Sequence, residues 1–307
     1  MLEALRPITA RRHGVILTSD LRALGLDAAA AHRLTATWYR VARGAYSMDK
    51  PASREQWHLM RTVAALASRA PGPVASHISA AVLHGLPIFR ADLTLVHLTW
   101  DKPPHSPRAG TVMHQAVVER DRVGDVAVTS VARTIIDCAR TLPRDTAVVM
   151  ADFALHTGVV SLSELHAELA RMPLRGSARA RRVVELADGR AESVGETRTR
   201  LICVDGGIPV TPQVVLRDPS GALVARVDLL VDGVLLAIEF DGATKYVRND
   251  DGAVDPEQKH WEEKVRREDV EDLGYVVVNV YWKKLDTPQA VIAKIRRGIA
   301  RAQRLAA

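Results

Sequence analysis

The sequence has few of the residues and none of the long apolar runs that mark secreted or membrane-spanning proteins. It contains two cysteines in 307 residues, Cys138 and Cys203, and each lies within an apolar helical pattern, which predicts buried thiols rather than a disulfide framework or a metal site. The N-terminus lacks the apolar core of a signal peptide, and no run approaches the ~18 apolar residues needed to span a bilayer. These absences predict a cytoplasmic protein that does not enter a membrane.

Aromatic residues are also scarce, at 4%, but 47% apolar and 25% charged residues form an ordinary globular composition. A chain of 307 residues is long enough for two or three domains that each bury a core. The net charge is +6, and the basic excess is concentrated at the two ends. Residues 1–46 carry seven arginines (6, 11, 12, 22, 33, 40 and 43) against three acids (3, 20 and 27). This distribution indicates a polyanionic partner, and DNA fits it.

The first block, residues 1–48, has the element order of a winged helix-turn-helix. A short helix is predicted from Thr18 and ends at Gly25, and a second follows Asp27 with Ala31, Leu34 and Trp38 at helical spacing. Residues 39–46 then alternate as a hairpin that contains a glycine. Helix, tight turn, helix and basic wing is the order of that DNA-binding fold.

Four residues of this block are the candidates for DNA contact. Arg33 and Thr37, on the second predicted helix, point away from its apolar stripe, and Arg40 and Arg43 lie on the wing. Such side chains bind phosphates or base edges. The alternative is that they are solubilising charges on a winged helix that binds protein.

The middle block, residues 49–188, predicts a mixed α/β domain. Helices are expected near 53–69, 76–85, 129–141, 144–157 and 161–171, and strands at 93–99 and 111–118. The arginine-rich stretch 171–182 is predicted to be an exposed boundary or hinge. His77 and His84 lie seven residues apart on one helical face, but with no third ligand at suitable spacing the pattern favours structural histidines over a metal site.

The third block, residues 189–307, predicts a helix, three strands, a helix, a strand and a final helix. The predicted bounds are 194–205, 212–217, 222–231, 234–241, 256–272, 275–282 and 287–304. Asp232-Gly233 predicts a two-residue hairpin turn between the second and third strands. The last helix places Lys294, Arg297, Arg301 and Arg304 near one side, either as a solvated face or as a guide for a DNA backbone.

The hairpin around Asp232-Gly233 gathers three carboxylates on one face. With a two-residue turn, the apolar side chains at 227, 229, 231, 234, 236, 238 and 240 form the core face, and Asp228, Glu239 and Asp241 project from the other. Asp228 then lies opposite Ala237 and diagonal to Glu239, roughly 7–8 Å away, a separation from which two carboxylates can share a Mg²⁺ ion. The alternative is a solvated face on which Arg226 pairs with Glu239.

Four segments of this block resemble the very-short-patch-repair endonuclease-like family of the PD-(D/E)xK restriction-endonuclease-like superfamily. They are Arg-Val-Asp-Leu (226–229), Ile-Glu-Phe-Asp-Gly (238–242), Arg-Arg-Glu-Asp (266–269) and Leu-Gly-Tyr-Val-Val-Val-Asn-Val (273–280). The similarity covers about 189–285 and implies an αβββαβ core and DNA hydrolysis with Mg²⁺ or Mn²⁺. It also implies that Asp228 and Glu239 are metal ligands and that Asp241 is a further acid in the site.

Two catalytic candidates of this block each have an alternative, structural interpretation. The lysine of the superfamily is expected two residues after Glu239, where this chain has Asp241, so Lys245 either replaces it or is an ordinary loop lysine. Glu196 occupies the position of the acid that the family carries on its first helix. In Ser193-Val-Gly-Glu196 it also reads as a capping box, in which it bonds the backbone of Ser193.

The middle block resembles AbiEi-type antitoxin proteins, in which a winged helix precedes such a domain. The resemblance rests on Ser-His-Ile-Ser-Ala-Ala-Val-Leu-His-Gly-Leu (76–86) and Val-Thr-Ser-Val-Ala-Arg-Thr-Ile-Ile-Asp (128–137). It implies autoregulatory DNA binding or neutralisation of a toxin protein. The chain is therefore expected to be a multidomain α+β and α/β protein. Its predicted function is metal-dependent DNA cleavage, or alternatively non-enzymatic regulation with a degenerate nuclease domain and a cognate toxin.

Overall fold

The computed structural model describes residues 2–69, 72–102, 109–172, 175–242, 264–265 and 267–307. The chain is a mixed α/β protein that divides into two compact units, Met1–Ala187 and Asp188–Ala307. The division lies next to residue 189, where the third predicted domain begins. The predicted first and middle domains lie together in the first unit.

The N-terminal part of the first unit has one helix and one strand that the sequence patterns did not predict. Its elements are α1 (Leu2–Arg11), β1 (Ile16–Leu17), α2 (Thr18–Ala23), α3 (Ala28–Thr35), β2 (Tyr39–Ala42) and β3 (Ala45–Ser47). The sheet order is β1-β3-β2 with antiparallel pairing throughout. Leu5 of α1 and Ile16 of β1 are completely buried against Leu21 and Ala31. The predicted helix–turn–helix–hairpin order is present, and α1 completes its core.

Helix α3 is shorter than predicted. Asp27 caps its start, where the side chain accepts a hydrogen bond from the Ala30 amide at 2.7 Å. The helix ends at Thr35, so Thr37 lies in the turn before β2 and not on the helix. The helix ends here because Trp38 packs against the core around Leu5 and leads the chain into the strand that begins at Tyr39.

The rest of the first unit places helices around a five-stranded sheet of order β6-β5-β4-β8-β7. The strands are β4 (Val74–Ala75), β5 (Val96–Trp100), β6 (Thr111–Gln115), β7 (Asp121–Val123) and β8 (Val126–Val128). The helices are α4 (Arg54–Ala67), α5 (His77–Leu83), α6 (Val131–Thr141), α7 (Arg144–His156), α8 (Leu162–Ala170) and α9 (Ser177–Leu186). All five predicted helices are present, but α9 corrects the prediction for 171–182. Ala180, Val183 and Val184 recur at helical spacing and are buried, so this stretch is partly a packed helix.

The second unit follows the predicted order of elements. They are α10 (Val194–Asp205), β9 (Val210–Arg217), β10 (Leu223–Val231), β11 (Leu236–Asp241), β12 (Val276–Tyr281) and α12 (Pro288–Leu305), with helical residues 264–265 and 267–272, here α11, before β12. The sheet order is β12-β11-β10-β9. Strand β12 pairs parallel to β11, and the other pairs are antiparallel.

Both faces of this sheet are covered, which corrects the prediction of a single core face. Leu229 and Ile238 belong to the main core, to which α10 and α12 also contribute buried residues. On the opposite face Ala237 is completely buried in a second cluster with Val270 of α11. The carboxylate face is therefore covered near the hairpin turn and polar only toward its other end.

Cys138 and Cys203 are free and buried, as predicted. In the described ranges of the chain, no helix combines the length and apolar character needed to cross a membrane.

Candidate functional site

The β10–β11 hairpin has a different register from the predicted one. Leu229 pairs with Ile238 and Leu230 with Ala237, so the connection spans residues 232–235 rather than two residues. Val234 and Leu235 leave the strand because the chain folds back on itself there: the Leu236 amide donates to the Val234 carbonyl at 2.7 Å. The prediction of a two-residue turn is therefore wrong. Val227, predicted on the same face as Leu229, packs instead with Ala237 in the second cluster, which corrects the predicted core face at that position.

Asp228 and Glu239 follow the last recorded pair of β10 and β11. That pair is Leu229 with Ile238, so the two acids stand next to it on neighbouring strands. Both acids are half-buried, and Asp228 Oδ2 accepts a hydrogen bond from the Phe240 amide at 2.7 Å. This bond orients the Asp228 carboxylate at the point where the two strands separate.

Two polar residues that the sequence analysis missed lie on the outer strands, beside Asp228 and Glu239, so that polar side chains form a row across all four strands. Gln213 of β9 lies across from Asp228, between the recorded pairs Val227–Val214 and Leu229–Pro212. Asn279 of β12 pairs with Glu239. Gln213, Asp228, Glu239 and Asn279 are called the polar row below. Only the strand order shows that these residues are neighbours, because the chain separates the first from the last by more than sixty positions.

Gln213 has an unusual backbone conformation for a strand residue. Its φ is +54°, in the left-handed region that costs a non-glycine residue of order 1–3 kcal/mol. This conformation accompanies a hydrogen bond from Gln213 Nε2 to Glu196 Oε2 at 2.9 Å. Strained residues of this kind concentrate at functional sites.

Glu196 is nearly buried, and several groups donate hydrogen bonds to its carboxylate. Its carboxylate accepts bonds from the Ser193 hydroxyl at 2.7 Å and from the Glu192 amide at 2.9 Å, in addition to Gln213. Ser193 Oγ in turn accepts from the Glu196 amide at 3.2 Å. The geometry is that of a helix cap, although the backbone partner is Glu192 and not Ser193 as the capping-box alternative stated.

The other predicted site residues differ in how they lie relative to the polar row. Asp241 is half-buried at the end of β11, beside Tyr281 of β12. Within the described ranges, no three carboxylates have oxygen atoms that all lie within 4.8 Å of one another. Lys245 lies outside the described residues. Arg226 pairs with Glu192, with nitrogen and oxygen 2.8 Å apart.

Close packing positions the start of α10 against the end of β11. A Cβ atom on Gly195 would lie 2.0 Å from the Phe240 ring, so only glycine allows this approach. The same ring meets Trp282 edge-on, with centroids 6.0 Å apart. Phe240 thus joins the helix carrying Glu196 to the strand carrying Glu239.

Basic side chains border the other end of the polar row. Lys294 of α12 donates a hydrogen bond to the Asn279 carbonyl at 2.7 Å. Burial lowers the pKa of Lys294, and the nearby charges of Arg267, Arg297 and Lys284 lower it further. These groups place positive charge beside the edge strand β12.

The four predicted DNA-contact residues, Arg33, Thr37, Arg40 and Arg43, are all exposed. Arg40 lies across from Tyr46 in the wing, and Arg43 is in its turn beside Gly44, whose φ is +73°. By contrast, Arg12 is neutralised by Asp20, with nitrogen and oxygen 2.7 Å apart.

The histidines of the middle region form a cluster that the sequence analysis did not predict. His84 is structural, as expected, with Nε2 2.7 Å from the Thr129 carbonyl. His77, however, lies with His97 of β5 and His114 of β6, and one ring nitrogen from each lies within 4.8 Å of the others. His97 Nδ1 and His114 Nε2 are 3.0 Å apart. The missing third ligand comes from the parallel pairing of β5 and β6, which spacing along the chain does not show.

Burial keeps these imidazoles neutral. It is the largest cause that lowers the pKa of His77 to about 2 and that of His97 to about 4, and neighbouring histidines add to both shifts. The pKa of His114 is lowered by the same cause.

Comparisons with known proteins add relatives without an assigned activity. No family model matches the chain. The uncharacterized protein Rv2248 of Mycobacterium tuberculosis strain H37Rv is 28% identical over 275 residues, which cover 88% of this chain and 94% of that protein. The uncharacterized protein MT2308 of strain CDC 1551 matches to the same extent. Among solved structures, the RV2827C protein of M. tuberculosis has a TM-score of 0.36 and 14% identity, over 60% of this chain and 75% of that one.

Proposed function

We propose that this chain is a DNA-binding protein whose second unit hydrolyses DNA phosphodiester bonds with Mg²⁺ or Mn²⁺. The observation that carries the proposal is that Asp228 and Glu239 stand beside the Leu229–Ile238 pair, on neighbouring strands of the polar row. Like charges on neighbouring strands repel, and a cation bound between them offsets the repulsion. Carboxylate oxygens are the ligands that Mg²⁺ and Mn²⁺ prefer, so the donor set fits these ions.

The residues around this pair suit a phosphodiester substrate. The Phe240 amide donates a hydrogen bond to the Asp228 carboxylate and orients it. Glu239 and Asp241 are two further acids, at alternate positions of β11. Lys294 and its basic neighbours lie beside the same level of the sheet and attract a DNA backbone. A bound Mg²⁺ would activate water and neutralise the charge that develops on the phosphate.

In the first unit, the exposed Arg33, Arg40 and Arg43 are proposed to bind duplex DNA. The order helix–helix–wing supports this proposal, since the second helix of such a fold enters the major groove. Thr37, now placed in the turn after α3, lies between the helix and the wing and is proposed to contact the same DNA.

A plasmid-nicking assay tests the nuclease. Wild type should cleave with Mg²⁺ or Mn²⁺ and not with a chelator, and Asp228→Asn and Glu239→Gln should each lose activity by orders of magnitude. Asp232→Asn is the matched control, because this exposed acid of the same hairpin bonds Thr211 away from the polar row. Lys245→Ala then separates two mechanisms: a large loss supports a relocated catalytic lysine, and near-normal rates assign charge stabilisation to the metal.

The second candidate is a non-enzymatic AbiEi-like antitoxin or transcriptional regulator with a degenerate nuclease domain. Asp241 favours it, because it stands where the superfamily has its lysine. If wild type cleaves no plasmid, linear duplex or single strand with either metal but still binds DNA, this function replaces the nuclease. A cognate toxin is then the expected protein partner.

A further inference from the structure

We propose that His77, His97 and His114 bind one Zn²⁺ ion in the first unit, at a site separate from the polar row. These residues are called the histidine cluster below. Neutral imidazole nitrogens suit zinc and neighbouring transition metals, whereas Mg²⁺ prefers oxygen ligands. Three protein ligands and one open position form the arrangement of zinc sites that take water or a substrate as the fourth ligand.

The distances already approach those of a coordination site. At Zn–N distances of about 2.0–2.1 Å, two ligands of a tetrahedral ion lie about 3.3 Å apart. His97 Nδ1 and His114 Nε2 are 3.0 Å apart. The His77 ring is stacked on that of His114, with centroids 3.7 Å apart and planes 15° from parallel. Because a metal lies in the plane of each ring that binds it, one of these two rings turns out of the stack when zinc binds.

The backbone supports a specific placement of His77. It has a φ of +51°, and its side chain is buried at the start of α5. A non-glycine residue is held in this conformation only where the surroundings compensate for the strain. Here the strain directs the buried ring toward the two histidines of the neighbouring strands.

A buried carboxylate lies beside the cluster. Asp137 has no measurable exposure, and its Oδ2 is 3.9 Å from His77 Nδ1. In the described residues its Oδ1 accepts no hydrogen bond, although Arg140 lies 3.5 Å away. The same Oδ2 accepts a hydrogen bond from Arg133 Nε at 2.8 Å, and His77 Nδ1 lies 3.0 Å from Ser76 Oγ. Asp137 therefore adds negative charge beside the cluster.

The cluster opens into a basic cleft that provides an entry path. The cleft has a volume of about 720 Å³ and is lined by His77, His114, Arg133, Asp137, Arg140 and Arg179, among others. The arginines disfavour a bare cation, and they favour an anion on the open coordination position. The fourth ligand is therefore water or a small anion that enters from this cleft.

The zinc content of the protein tests the proposal. The starting protein is the full-length variant that carries Asp228→Asn and Glu239→Gln, called the host below, in which the carboxylate pair no longer competes for metal. After chelator treatment, incubation with Zn²⁺ and desalting, the host should retain one zinc per chain by mass spectrometry. His97→Ala and His114→Ala should lose it. His166→Ala, an exposed histidine of the same unit, should retain it.

X-ray absorption of the zinc-loaded host keeps the test valid if a histidine variant fails to fold. Its spectrum should show imidazole nitrogens at about 2.0–2.1 Å from the metal. The proposal is overturned if the folded host retains no zinc, if the histidine variants retain as much as His166→Ala, or if the spectrum shows fewer than three imidazoles.

Discussion

The hydrogen bond between Asp228 and Phe240 makes a quantitative prediction about two substitutions at one position. The bond joins a carboxylate to a backbone amide over 2.7 Å. Hydrogen bonds to charged groups contribute about 1.5–3 kcal/mol. Removing the negative charge near Glu239 regains about 0.2–1 kcal/mol of repulsion. Asp228→Ala should therefore lower the free energy of unfolding by about 0.5–2.8 kcal/mol when a chelator is present.

Asp228→Asn should behave differently because its amide oxygen still accepts the Phe240 bond. A neutral hydrogen bond contributes about 0.5–1.5 kcal/mol, so most of the loss is offset by the relief of repulsion. The expected net destabilisation is about 0.5 kcal/mol. The asparagine variant is thus the one in which reduced cleavage reports on charge and metal rather than on local unfolding.

Hydrogen exchange monitored by mass spectrometry measures this difference locally, in the peptide that contains Phe240. A difference of about 1 kcal/mol between the two variants corresponds to roughly fivefold faster exchange in Asp228→Ala. Urea unfolding followed by circular dichroism provides the global value. Equal stability and equal exchange in the two variants would refute the assignment of this bond as the main structural role of Asp228.

Three further predictions concern the packing of α10, the DNA interface and the buried histidines. Gly195→Ala should destabilise the second unit by about 1–3 kcal/mol in thermal or urea unfolding, because its Cβ would overlap the Phe240 ring. Phe240→Leu should relieve part of that destabilisation. If the effects of the two substitutions on the free energy of unfolding were fully additive, the close packing of the two residues would be contradicted. Replacing Arg33, Arg40 and Arg43 by alanine should flatten the salt dependence of log DNA affinity by about 0.9 for each phosphate that the protein no longer neutralises. The control Arg182→Ala removes an arginine paired with Glu185 and should leave the slope unchanged. An unchanged slope in the triple variant rejects the interface. His58 is buried between the Leu93 carbonyl and Ser79 Oγ, and burial lowers its pKa and that of His77 below 6.5. Because the unfolded chain then takes up protons that the folded chain does not, metal-free protein should lose stability as the pH falls below about 6.5. A melting temperature that is constant down to pH 5 would contradict this.

The sequence alone determined the order of elements in the second unit and the location of its acids. Helical and strand periodicity are local properties, and α10, β10 and α12 differ from their predicted bounds by at most one residue at either end. Asp228 and Glu239 stay near each other in the observed register, on neighbouring strands beside the Leu229–Ile238 pair.

The tertiary structure decided which polar residues meet. Leu229 pairs with Ile238, beside Asp228 and Glu239, because four residues, not two, connect their strands, and a turn motif does not determine how many residues leave the pairing. Gln213 and Asn279 join the row only through the strand order. The histidine cluster likewise depends on β5 and β6 lying side by side, with His77 delivered by the start of a buried helix. Spacing along a chain predicts contacts within one helix or hairpin, but contacts between distant segments follow from which strands pair and in which register.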